Sequence, residues 1–390
     1  MMGMQRFSKR TGWDVAESGF AAAVREAQAG GRRLIDLTVS NPTVCGFSYD
    51  SAVVLGALRD DRALVYDPDP RGMRSAREAV AGYYADHGAR SVDPDALVLT
   101  TSTSEGYGYL FRLLCDPGDE VLVAEPSYPL FDFLADLEDV RLRSYPLFYD
   151  YGWWIDFAEL ERRIGSRTRA IVVVHPNNPT GHGIRLAERV RLEEICLQHG
   201  LALIVDEVFL DYPVEIGGAE LSSFAVGPHP VLTFILSGMS KIAGLPQMKV
   251  GWIAGFGPKG ARGEALGRLE VVADTFLSMN APAQLALPGW LAGRQEIQRQ
   301  ILGRVRSNLS GAKRGGLDVL VVEAGWSATL RLEQRSGAGD LAVEVLRETG
   351  VLVHPGSFYG MAEGGRVVVS LIGLEGEFVE GVRLLSEWNS

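Results

Sequence analysis

The chain has 390 residues, 46% apolar and 22% charged, enough for a large core and, at ordinary domain sizes, about two domains. Its formal charge of −11 argues against sequence-independent binding to nucleic acid, which needs a basic surface to neutralise phosphates. No apolar run approaches the ~20 residues that cross a bilayer. Residues 1–13 carry Arg6, Lys9 and Arg10 but no apolar stretch of the kind a secretory signal has. Cys45, Cys115 and Cys196 lack the paired spacing of zinc or redox sites. A soluble cytoplasmic protein with no metal site and no membrane or nucleic-acid partner is therefore expected.

In chain order, short apolar runs at 96–100, 120–124, 170–175, 202–206, 231–237 and 249–254 alternate with helical spacing at 105–114 and 186–199. Parallel strands need crossover connections, so the alternation predicts an α/β domain with a mainly parallel sheet. Several runs are apolar throughout, as in strands covered by helices on both faces. After about Leu285 a long helical stretch, 295–315, is followed by short strands near 327–332 and 367–371, which predicts a smaller α+β domain. The expected division is 1–50 as an N-terminal segment packing with the small domain, 51–285 as the large domain and 286–390 as the small one. Glycine-containing patches at 217–218, 255–263 and 337–339 read as loops.

Polar residues stand just past several predicted strands, where open α/β sheets bind ligands. Ser102, Thr103 and Ser104 follow 96–100 and lead into a helix. Hydroxyls, free N–H groups and a helix dipole suit an anion there, and the same residues also make an ordinary capped helix start. Tyr128, held between Pro126 and Pro129, offers a ring that can lie against a planar heteroaromatic group or simply fill a surface turn. Asn178, in the run Asn177-Asn178-Pro179-Thr180-Gly181, brings a donor and an acceptor in a tight turn.

Asp206 ends an apolar run and would be costly to keep ionised without a cation, such as a protonated pyridine nitrogen; its other role is a cap. Lys241, in Ser237-Gly238-Met239-Ser240-Lys241, carries the one side-chain group that condenses reversibly with an aldehyde, and Lys249 lies eight residues on. Singly, each has a plain structural reading. The argument lies in their order on successive strand ends.

With these residues in place, the chain from about Leu34 onward resembles the class I/II aminotransferases of pyridoxal 5′-phosphate (PLP) fold type I. The opening Asp36-Leu37-Thr38-Val39-Ser40-Asn41-Pro42 is similar to the family's substrate-side segment, which points to Ser40. Tyr66, Gly72 and Arg77 resemble its Tyr…Gly…Arg motif, with Ala76 in place of a leucine. The resemblance implies that Ser102, Thr103 and Ser104 cradle the phosphate and Tyr128 stacks on the ring. It further implies that Asn178 bonds the ring hydroxyl and substrate, Asp206 pairs with the pyridine nitrogen and Lys241 forms the Schiff base. Tyr66 would serve the neighbouring subunit of a homodimer.

Four departures accompany this. Lys249 stands where an arginine is usual, so the charge stays and the bidentate fork goes. Phe209 replaces a tyrosine that donates to the ring hydroxyl. Gly238 replaces a serine, leaving Ser237 or Ser240 for the phosphate. Val368 replaces the arginine that clamps the substrate carboxylate, and Arg366, two residues away on the same strand face, is the candidate substitute or else a solvated edge residue.

The implied activity is transfer of an amino group between an amino acid or amine and a keto acid by a ping-pong scheme. Other fates of the same carbanion, namely elimination, racemisation or oxidative deamination, are the alternative. Gly255-x-Gly257-x-x-Gly260 matches a dinucleotide fingerprint, but Pro258 and Lys259 sit inside it and no acidic partner follows. An aminotransferase-like sensor domain of a transcription regulator is disfavoured, because the chain is acidic and the resemblance is already under way near Leu34.

Overall fold

The structure is a computed structural model in which residues 7–214, 221–277, 279–333, 340–361 and 365–390 are described. The glycine patches at 217–218 and 337–339 lie outside the described residues. The first seven strands are β1 Ile35–Asp36, β2 Leu97–Thr100, β3 Glu120–Glu125, β4 Arg141–Tyr149, β5 Trp153–Ile155, β6 Thr168–Val174 and β7 Ala202–Asp206, of which β2, β3, β6 and β7 fall on the expected apolar runs while β1, β4 and β5 were not expected. They continue with β8 Thr233–Gly238, β9 Gly251–Phe256, β10 Asp318–Val319, β11 Ser327–Arg331, β12 Val351–Leu352, β13 His354–Pro355 and β14 Arg366–Ser370.

Eight strands form one sheet in the order β2-β9-β8-β7-β6-β3-β4-β5. Its centre is parallel from β4 through β3, β6 and β7 to β8, while β9 runs antiparallel to both β8 and β2. Two reversals restore direction. Thr100 and Gly238 therefore both pair with Gly251, at the sheet edge where the parallel strands also end.

Side chains alternate between faces along each strand. Val121, Val123, Val172, Ile204 and Leu236 pack against Tyr107, Leu110 and Phe111 of the helix Thr103–Leu114. Leu122, Ile171, Val173, Leu203 and Val205 join Val80, Tyr84 and Trp252 on the opposite side. Both faces are dry, which is why the strand sequences carry little polar alternation.

The patch 255–263 corrects one sequence expectation, because it is not a loop. It holds the end of β9 and the start of the helix Lys259–Phe276. Only Gly257 needs its glycine: φ is +128° and a Cβ would meet the Val231 carbonyl oxygen at 2.8 Å. Gly260 and Gly263 are helical, their weak propensity overridden by burial of Ala265, Leu266, Leu269 and Ala273.

The smaller sheet, β10-β11-β14-β13, is antiparallel and is accompanied by the helices Arg294–Arg314, Leu341–Thr349 and Glu375–Asn389. The N-terminal segment joins this side: β1 pairs in parallel with β12, and the helix Gly19–Ala29 packs on Leu341–Thr349. Among the described residues no helix is long and apolar enough to cross a membrane, and no cluster of metal-ligating side chains occurs.

Candidate active site

A cavity of about 530 Å³ opens at the sheet edge where β3, β6, β7 and β8 end. Each strand brings a side chain from its end to this cavity: Tyr128 after β3, Asn178 after β6, Asp206 closing β7, and Ser240 with Lys241 after β8. Because β2 ends at the same edge, Ser102, Thr103 and Ser104 line it too, and Lys249 arrives just ahead of β9. Thr38 and Ser40 of the N-terminal segment complete the wall with Trp326, Ser327, His354 and Tyr359 of the small domain.

Asp206 sits on the same face of β7 as Ile204, so it meets the helix Thr103–Leu114. Tyr107 of that helix donates its hydroxyl to Asp206 Oδ2 at 3.1 Å, and Val208 N–H donates to Oδ1 at 3.1 Å. Burial raises the acid to about 6, with these two bonds and the Lys241 charge pulling the other way. Lys241 is lowered to about 8 by the same loss of water, opposed by the negative charge of Asp206. Its ammonium lies 4.8 Å from the Trp326 ring and 5.5 Å from the Phe209 ring. Tyr212 fixes the backbone beneath it, donating to the Lys241 carbonyl at 2.6 Å.

At the other end, Ser102 caps its helix by accepting from Glu105 N–H at 3.1 Å. The hydroxyls of Thr103, Ser104 and Ser240 and the ammonium of Lys249 have no hydrogen-bond or ion-pair partner among the described residues. Free N–H groups, hydroxyls and a cation together form an anion cradle. Gly251 keeps it tight: a Cβ there would lie 2.9 Å from the Ser102 carbonyl carbon and 3.1 Å from Thr103 N.

The two asparagines divide their tasks. Asn177 is buried and structural, accepting from Thr180 Oγ1 at 2.8 Å and donating to the Pro126 carbonyl at 3.4 Å. Asn178 faces the cavity, its Oδ1 accepting from Ser327 Oγ of the small domain at 3.2 Å. Ser40 lines the wall and donates to the Thr38 carbonyl at 3.1 Å.

Three residues singled out in the sequence stand elsewhere. Ser237 is fully buried inside β8, and its hydroxyl has no partner, so of the two serines it is Ser240 that reaches the cavity. Tyr66 is 79% exposed and borders a separate cleft with Pro68 and Met73. Arg366 lies over the Trp153 ring at 5.7 Å, opposite Arg331 in the ladder, and does not line the cavity. Val368 is buried opposite Thr329 and His354. Conversely, Tyr107 and His354 line the cavity but were not singled out in the sequence. Tyr107 follows Ser104 by three residues, one helical turn, which was the available signal.

A sequence-family model described as "Aminotransferase class I and II" matches residues 33–372. The glutamate-pyruvate aminotransferase AlaA of Escherichia coli is 30% identical over 271 residues, 70% of this chain and 66% of that protein. An alanine aminotransferase of Mycobacterium tuberculosis is 30% identical over 279 residues, 70% of this chain and 64% of its own length. The chain thus spans slightly under two thirds of these curated relatives. The solved alanine aminotransferase of Pyrococcus furiosus superposes with a TM-score of 0.87 at 23% identity, covering 98% of this chain and 99% of that one. Two further solved aminotransferases, one of Escherichia coli and an aspartate aminotransferase of Thermus thermophilus, superpose with TM-scores of 0.86 and 0.82, and the fold is theirs.

Proposed function

The chain belongs to the class I and II aminotransferase family, and from that premise we propose that it is a PLP-dependent transaminase. It would move an amino group from an amino donor to a keto acid in two half-reactions. One observation carries this reading. Five strand ends deliver an unpaired lysine, a buried acid, an aromatic ring, an amide and an anion cradle to one cavity.

The residues fit PLP on three counts. The anion cradle has three free hydroxyls and Lys249, matching a phosphate. Buried Asp206 lacks a hydrogen-bonded cation, matching a protonated pyridine nitrogen. Lys241 is an amine whose proton burial loosens, its pKa lowered to about 8, matching an aldehyde. When bound, PLP supplies that aldehyde and an electron-withdrawing ring.

Thr103, Ser104, Ser240 and Lys249 would hold the phosphate, with Ser102 keeping the helix start in place. Tyr128 would stack on the ring and Asn178 would bond its hydroxyl; Phe209 contributes an apolar edge and no donor. Asp206 holds a proton at the pyridine nitrogen, and Tyr107 orients the carboxylate. Lys241 Nζ is the nucleophile and then moves a proton at the reacting carbon of the donor. Trp326 and Phe209 keep water away from that amine.

A homodimer in a reducing cytoplasm is part of the same reading. Leu64, Val65 and Tyr66 form an exposed apolar run suited to cover by a second copy, and the three cysteines are unpaired. The deciding experiment is borohydride reduction of the PLP-loaded protein with peptide mapping, coupled to a donor-acceptor assay. Label on Lys241 and keto product formed only with a keto acceptor are expected. Label elsewhere, or ammonia released without an acceptor, overturns the transaminase reading.

A further inference from the structure

The cavity's charges are unevenly placed. Lys249 stands at the anion cradle and Lys241 faces Asp206, so both cations lie on the large-domain side. The small-domain side carries Ser327, His354 and Tyr359, with Thr38 and Ser40 beside them. His354 and Tyr359 are joined, Nδ1 to Oη, at 2.9 Å. The other ring nitrogen, Nε2, has no partner among the described residues.

The charge acting on His354 is negative. Asp36, at the end of β1, accepts from Thr38 N–H at 2.8 Å and from Thr38 Oγ1 at 2.6 Å, and its field reaches the imidazole. Burial nonetheless holds the imidazole below its ordinary range, so at neutral pH it is a neutral hydrogen-bonding group. Directly across the ladder from His354 stands Val368, which is apolar and buried. A substrate carboxylate here would enter a half-buried site beside an acid and, among the described residues on this side, without a cation, an unfavourable exchange for its water shell.

Building on the transaminase reading, we propose that the amino donor bears no carboxylate on its reacting carbon and instead carries a neutral hydroxymethyl group there, hydrogen-bonded by His354 with Tyr359 holding the ring. Tyr359 fixes Nδ1, which leaves Nε2 to bond the substrate. Phe131, Leu134 and Trp326 line the same cavity and suit an apolar body on that amine. The substrate class is an amino alcohol with a hydrophobic substituent.

The test first uses unreactive probes on the PLP-loaded enzyme. Binding of 3-phenylpropan-1-ol is compared with that of 3-phenylpropionate by calorimetry at pH 7.5. The alcohol is expected to bind at least about tenfold tighter, the margin that one net hydrogen bond supplies. His354→Phe should abolish the margin, and Val368→Arg should reverse it. Should His354→Phe fail to fold, Tyr359→Phe, which frees the ring to rotate, is expected to shrink the margin in its place. Equal binding, tighter binding of the carboxylate, or no binding of either probe overturns the proposal.

Single-turnover conversion of L-phenylalaninol against L-phenylalanine then reads the same preference in rate, with faster reaction of the amino acid overturning it. Calorimetry does not depend on turnover. A protein that keeps the alcohol margin yet shows no borohydride label on Lys241 would lose the transaminase reading and keep only the hydroxyl-binding site at His354.

Discussion

The Tyr107 hydroxyl and the Asp206 carboxylate, 99 residues apart in the chain, meet at 3.1 Å at the wall of the cavity, both side chains buried. The bond makes Tyr107 a positioning residue for the acid. A phenol donating to a buried carboxylate stabilises its charged form and fixes which oxygen remains for the cavity. Tyr107→Phe should therefore raise Asp206 above its value of about 6. Carboxyl infrared titration of the cofactor-free protein measures that shift, and a loss of turnover of about tenfold should accompany it. An unmoved titration would remove Tyr107 from the machinery.

Asp206 should also mark the pH dependence of stability. Its value rises from the ordinary carboxylate range to about 6 on folding. Between about pH 4 and 6 the unfolded chain is ionised there while the folded chain stays protonated, so stability falls as pH rises through this window. In the cofactor-free protein, Asp206→Asn should remove up to about 3 kcal/mol of that slope in urea titrations. Glu207, raised by burial to about 7, leaves a residual slope of the same sign.

Lys241 should react as an unusually acidic lysine. Burial lowers it to about 8 and Asp206 opposes the shift. Aldehyde modification of the cofactor-free protein at position 241, followed by mass spectrometry, should reach half its maximal rate near pH 8. In Asp206→Asn the profile should move to lower pH, because the charge favouring the ammonium is gone. Lys241→Ala should lose the modification and several orders of magnitude in turnover.

His182 is buried between Glu188 at 3.3 Å and Glu323 at 3.4 Å, with Arg185 bridging to Glu323 at 2.7 Å. The two carboxylates raise it above an ordinary histidine even though burial acts the other way. Stability from this group is full below about pH 6.5 and is lost as pH rises through the folded value. Glu323 belongs to the small domain, so the cluster pins β11 and Ser327 to the Asn178 turn. His182→Gln should cost about 3 kcal/mol at pH 6, measured by urea unfolding, and less at pH 9.

Gly251→Ala tests the anion cradle. The new Cβ would press on the Ser102 carbonyl carbon and Thr103 N, both backbone atoms. PLP affinity should fall by about tenfold or more while the thermal transition of the cofactor-free protein moves by only a few degrees. Retained affinity would mean that the helix start is not the phosphate site.

Much of the site was legible because each polar residue directly follows an apolar strand. Asp206 ends β7, and Lys241 comes three residues after β8. Helix limits were equally local: the spacing at 186–199 is the helix Leu186–His199 itself. The glycine patch at 255–263 was misread because glycine density signals a turn, while helix packing of Ala265 and Leu269 comes from a distant sheet face. Arg366 and Val368 share a strand face in β14, yet period two does not say what covers that face. Arg366 meets Trp153, and Val368 meets Thr329 and His354.

By itself, the sequence determined most strands of the large sheet to within about two residues, the cofactor-type chemistry the residues after them suit, and the two-part architecture, since periodicity and turn residues act over a few positions. Tertiary structure alone decided that Thr100 and Gly238 flank Gly251, that Tyr107 meets Asp206, and that His354 stands opposite Val368. Those pairings depend on sheet order and register, which arise from packing both faces of the whole sheet and leave no trace in any short stretch of chain.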